Sequence, residues 1–126
     1  SVHYFNCAPR SLIMPLTDFL SVLDKPGHQF ADTLAFIDAH YHYTPCAFDN
    51  AGLHNPAGSN LGSCKILGLA LLEGLSTEQA LLAFGEHYTD VLATPHATAH
   101  ANIRQLLKYG LAAVHFEQQP LRRLIV

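Results

Sequence analysis

The sequence predicts a single, mainly α domain: about five helices packed round a buried central helix, with room for a short two-stranded β element. Three observations predict it. A chain of 126 residues suits one domain. Apolar residues recur at helical spacing in five stretches, each bounded by cap, glycine or proline signals. One of these stretches, Leu61–Glu73, is apolar nearly all round, as buried helices are. The strand–helix alternation of a parallel sheet is missing.

The elements follow in order. Leu16, Phe19, Leu20 and Leu23 share one face of a first helix over about 15–24, with Pro15 in its first turn and Lys25-Pro26-Gly27 ending it. Phe30, Leu34, Ile37 and Tyr41 stripe a second over about 30–41. Residues 42–60 hold two prolines, two glycines and three asparagines. They read as a long irregular connection, with a short strand around 47–49. The third helix runs from Leu61, with Asn60 as its N-cap, to Gly74 as its C-cap. Ser76-Thr-Glu-Gln79 is a capping box that opens a fourth, with Leu81, Phe84 and Tyr88 on one face. The fifth spans about 99–109, with Ile103, Leu106 and Leu107 turned inward and Gly110 closing it. Weak alternation over 111–116 suggests a strand. The domain is expected over 14–126, and 1–13 read as an N-terminal extension or cloning remnant, with Met14 as a natural start.

Composition excludes several function classes. Charged residues make up 13%, against about 25% in an ordinary globular domain. Weak mutual repulsion admits a homo-oligomer. The net charge is -3 and no Lys/Arg run exceeds Arg122-Arg123, which argues against nucleic acid or an anionic membrane surface as partner. No stretch approaches the ~20 apolar residues of a membrane-spanning helix. Three cysteines without CxxC spacing form neither a disulfide framework nor a zinc ribbon, and fit a reducing compartment.

Chemistry concentrates around two helix starts. Gly58-Ser-Asn-Leu-Gly-Ser-Cys64-Lys65 fails as a phosphate loop, because no Ser or Thr follows Lys65 and no apolar strand precedes it. It does set Cys64 at a helix N-terminus beside an ammonium, where thiolate is favoured. The competing reading is a small buried core residue. Lys65 is the only charge in the body of that helix. It pairs with a carboxylate such as Glu86, Asp49 or Asp38, snorkels to water, or lines a cleft. His100 lies on the inward stripe of the fifth helix, near Asn102 and Arg104. His96 and His100 have i, i+4 spacing, but Pro95 and the lack of a following Glu break the metalloprotease pattern. No metal and no cofactor are expected.

Three stretches carry a resemblance: Ile37-Asp-Ala-His-Tyr-His-Tyr43-Thr-Pro-Cys-Ala-Phe-Asp-Asn50, then Ala57-Gly-Ser-Asn60-Leu-Gly-Ser-Cys-Lys65, then Phe84-Gly-Glu-His-Tyr88 continuing to His100-Ala-Asn-Ile-Arg104. In order and spacing the chain resembles the HopJ type III effector family from about Pro15 to Phe116. The pattern carries over at Tyr43, Asn50, Asn60, Ser63, Cys64, Lys65, Tyr88, His100, Asn102 and Arg104, among others. It departs at Ala51, where the family has Gly after Asn50, at Ala97, where it has Gly, and at Ala99, where it has Asp. The resemblance implies a virulence-associated family and a bacterial cytoplasmic origin, with secretion through a type III system. It supplies no catalytic residue set.

Three functions are expected to compete, one of them, by the resemblance, a secreted effector that acts by binding a host protein. Of the other two, the first is a binding domain whose polar cleft takes a small anionic molecule or peptide. It would be lined by Asn60, Ser63, Lys65, His100 and Arg104, with Tyr43, Asn50, Tyr88 and Asn102 as further ligand contacts. The second is a thiol hydrolase or acyl transferase with Cys64 as nucleophile and His100 as base.

Overall fold

The computed structural model of the protein describes residues 10–124, with side chains from Pro15 onward. Described helices are α1 (Arg10–Val22), α2 (Phe30–His40), α3 (Leu61–Glu73), α4 (Thr77–Ala83), α5 (Glu86–Ala93) and α6 (Ala101–Tyr109). Five three-residue strands accompany them: β1 (Tyr41–Tyr43), β2 (Phe48–Asn50), β3 (Leu53–Asn55), β4 (Val114–Phe116) and β5 (Leu121–Arg123). They form two small antiparallel sheets, one of β1 with β5 and one ordered β3-β2-β4. Among the described residues the fold is therefore six α-helices with two sheets, rather than about five helices with a single pair of strands.

The differences have local causes. The expected fourth helix is two helices, because Gly85 breaks it at φ +58. A Cβ there would stand 2.5 Å from the backbone nitrogen of Phe30, so only glycine lets the start of α2 pack this closely. The helix starts at Arg10 rather than in the middle teens, with Pro15 inside it. The supposed extension thus contributes its last residues to α1, and residues 1–9 lie outside the described part. The long connection is a hairpin. β2 and β3 pair from Phe48↔Asn55 to Asn50↔Leu53 across the two-residue turn Ala51-Gly52. Both turn residues have positive φ, as a type I′ turn requires.

α3 buries Cys64, Ile66, Leu67, Gly68, Leu69 and Ala70. Its mixed small and branched surface packs against α2, α4 and β5. Gly68 leaves room for Pro120, whose Cγ would stand 2.5 Å from an added Cβ. A partly buried charge cluster ties the β1–β5 sheet to the end of α3. Glu73 accepts from Arg123 Nη2 at 2.8 Å, Arg123 Nε at 3.0 Å and Tyr41 Oη at 2.7 Å. Burial raises the Glu73 pKa, but the hydrogen bonds from Arg123 and Tyr41 outweigh it and the carboxyl sits below its usual range. This cluster is structural and lies away from the cavity described next.

Candidate functional site

Four of the nine predicted site residues other than Cys64 meet at one cavity: Asn60, Ser63, His100 and Asn102. It encloses about 410 Å³ and is also lined by Phe30, Asn55, Gly62, Phe84, His87 and Ala101. The first turns of α3 and α6 both contribute to its wall.

Both turns start in an unusual way. An N-cap residue ordinarily lies in the β region and turns its side chain back onto the first-turn N–H groups. Asn60 (φ 48, ψ 52) and His100 (φ 59, ψ 51) are instead left-handed, and neither makes a side-chain cap bond. Asn and His are among the non-glycine residues that most readily accept this conformation. The consequence is two helix starts, uncapped by their own N-cap side chains, on one cavity. Gly62 is fitted to this wall, since a Cβ on it would run into the Phe30 ring.

An amide cluster holds α6 against the β2–β3 hairpin. Asn55 is its hub. Its Oδ1 accepts from Asn60 Nδ2 at 2.6 Å and from Asn102 Nδ2 at 2.8 Å. Its Nδ2 donates to the Leu53 carbonyl at 3.0 Å and to Asn102 Oδ1 at 3.3 Å. Asn50 Nδ2 donates to Asn102 Oδ1 at 3.1 Å and to the Asn102 carbonyl at 2.9 Å. Asn50, Asn55 and Asn102 are all buried. Asn50, expected as a ligand contact, is a buried support behind the wall.

Three imidazoles reach the cavity. His54, on β3, has its Nδ1 2.7 Å from Asp49 Oδ1. His87 sits edge-on to the Phe30 ring at 4.6 Å and tilted to the His100 ring at 4.8 Å. Its position follows from the start of α5. Phe30 N–H donates to Glu86 Oε1 at 2.8 Å, a bond that lowers the Glu86 pKa and pins α5 to α2. Nothing in the residue pattern singled out His87, whose place depends on the Gly85 break. Asn55 was equally hidden, although an Asn before Pro in an irregular stretch is a turn signal.

The remaining candidates are elsewhere. Lys65 pairs with Asp38 at 2.9 Å, one of the three carboxylates expected, with Nζ 5.1 Å from the Tyr43 ring centroid. Arg104 donates to the Thr94 carbonyl at 2.7 Å and the Ala99 carbonyl at 2.6 Å, and so ties the end of α5 to the start of α6. Neither cation lines the cavity, which corrects the cleft expected from the sequence: each charge is satisfied by a neighbour on its own side. Tyr88 lines a separate depression beside Gly85. Tyr43 is half-buried, and burial followed by the neighbouring Cys64 thiol pushes its phenol pKa up. Cys64 is 1% exposed, and its thiol points to the Cys46 carbonyl at 3.7 Å. It is absent from the cavity wall that holds His100, so this geometry offers no thiol–imidazole pair open to a substrate.

A family model described as HopJ type III effector protein matches residues 16–121. A solved structure described as the crystal structure of unknown function protein VPA0580 is similar, with 38% sequence identity and a TM-score of 0.81. The alignment covers 86% of this chain and 93% of that one. No curated protein matches the chain.

Proposed function

The chain belongs to the HopJ type III effector family, and from that premise we propose that it is a non-enzymatic binding domain that takes a small anionic molecule, or an acidic group of a peptide, in the cavity between α3 and α6. One observation carries the reading: two helix starts with left-handed, non-capping N-cap residues line the same cavity. Helix N-termini favour anions through their N–H groups and dipole. Asn60, Ser63 and Asn102 supply polar side chains around the same space. Family membership supports a protein made in a bacterial cytoplasm and passed to a type III system. Neither nucleic acid nor membrane is proposed as a partner, and no described helix is long and apolar enough to cross a membrane.

The test uses protein kept metal-free with a chelator and titrated with inorganic phosphate, followed through backbone amide chemical shifts. Gly62, Ser63, Ala101 and Asn102 should shift together and saturate. Ala101→Asp places a carboxylate on the exposed first turn of α6, where it suits the helix but competes with an anion. The variant should keep its melting temperature and lose the response. Scattered, non-saturating shifts in the parent protein would refute the reading.

A further inference from the structure

His87, Asp90 and His100 each offer a ligand atom, and the three atoms lie within 4.8 Å of one another. We propose that they form a binding site for a divalent first-row transition metal at the edge of the cavity. The proposal stands apart from anion binding and is tested separately.

The chain brings these residues together from two helices. His87 and Asp90 are three apart on α5, so they share one face. His100 comes from the turn into α6, where its left-handed backbone precedes the first helical turn. Arg104 fixes the distance between the two helices through Thr94 and Ala99.

The second observation is that the three side chains are unspent. Among the described residues, none of them makes a hydrogen bond or ion pair. His87 Nδ1 is buried with no partner, an expensive state for an imidazole nitrogen. The contrast with the other acids at hand is consistent. Asp38 is taken by Lys65, Asp49 by His54, Glu73 by Arg123 and Glu86 by the Phe30 N–H. Two exposed members, Asp90 and His100, leave room for the rotations that bring ligand atoms to the roughly 3.3 Å spacing of a metal with bonds of about 2.1 Å.

Two imidazoles and one carboxylate suit zinc or ferrous iron and leave coordination positions open. His87 and His100 line the cavity, so the open positions would face it. The first turns of α5 and α6 oppose a cation, and the Asp90 carboxylate is the negative charge that offsets them. No carboxylate or carbonyl stands behind either imidazole among the described residues, so affinity should be about micromolar, below that of a structural zinc site.

The experiment uses untagged, metal-free protein titrated with cobalt(II), read by its visible d–d absorption and by calorimetry. One equivalent should bind, with nitrogen–oxygen coordination bands. Asp90→Asn, His87→Gln and His100→Asn should each weaken it roughly tenfold or more. Asn tolerates the left-handed turn at position 100, which protects that variant's fold. His96→Gln, in the same α5–α6 connection but outside the cluster, should bind as the parent does. Equal affinity in the parent and in all three cluster variants, with circular dichroism showing them folded, would overturn the site. So would a parent that binds no cobalt at millimolar metal.

Discussion

Replacing Asn55 by Ala tests the amide cluster that builds the cavity wall. Asn55 is 1% exposed and makes five hydrogen bonds, including a long one to the Phe48 carbonyl. Its loss does not fall evenly on its partners. Asn60 is exposed, so water can take its amide. Asn102 Nδ2 is buried and has no other acceptor among the described residues, so it is orphaned at a cost of about 1–3 kcal/mol. The lost bonds to Leu53 and to Asn102 Oδ1 each contribute about 1 kcal/mol more. The expected destabilisation is about 3–5 kcal/mol, against about 1 kcal/mol for Asn60→Ala. Urea unfolding should show the midpoint falling at constant m-value. In a double-mutant cycle, Asn55→Ala and Asn102→Ala should be strongly non-additive, because either one alone strands the other. If Asn55→Ala costs no more than Asn60→Ala, the cluster does not hold the wall and the reasoning fails.

Three further outcomes follow from the structure. Glu73 is held below its ordinary pKa, so its contribution is present above the unfolded carboxyl value and is lost as pH falls through the folded one. Glu73→Gln should cost about 2–3 kcal/mol at neutral pH, less than a fully buried pair because Arg123 is 36% exposed, and should flatten the acid limb of a stability–pH curve; an unchanged limb would count against this. Ala51, at φ 52 in the type I′ turn, stands where left-handed residues are favoured. Ala51→Asn should raise stability by about 0.5–1 kcal/mol in a thermal melt, and a loss would show that its methyl is needed for packing. Cys64 should react with an alkylating reagent at a rate limited by unfolding, with no faster phase near neutral pH in mass spectrometry, since it is 1% exposed.

How much was legible in the sequence depended on the range of the interactions. α3 was read to its ends, because apolar spacing, Asn60 and Gly74 are local signals. The capping box at Ser76 was also local, and both of its bonds are present. The split between α4 and α5 was not legible. A lone glycine in a helical pattern is tolerated, and what makes Gly85 a break is the backbone of Gln29 and Phe30, which approach from 55 residues away or more. The β1–β5 pairing was hidden for the same reason, since three-residue strands carry too little alternation to stand out. At the site, the residue types near both helix starts were legible and their directions were not. Lys65 and Arg104 fit an anion cleft by charge, but each finds a closer partner, Asp38 in one case and carbonyls in the other. The cavity's polarity comes instead from asparagines and histidines.

The left-handed caps explain why those residue types are needed. An ordinary Ser or Asp cap would close each helix start with its own side chain and leave the cavity wall without free donors. Turning the cap left-handed frees the side chain for other work. At Asn60 that work is the bond to Asn55, which anchors the hairpin. At His100 the side chain is left beside His87 and Asp90. The same backbone feature therefore produces both an anion-favouring wall and a cluster of unspent metal ligands. These are opposite electrostatic demands on one cavity, and they are compatible if a metal's open position and a ligand's negative charge meet there. Phosphate titration of metal-free protein and cobalt titration without phosphate examine the two halves independently. Each can fail while the other stands, because the first-turn N–H groups do not require the metal and the three ligand side chains do not require the anion.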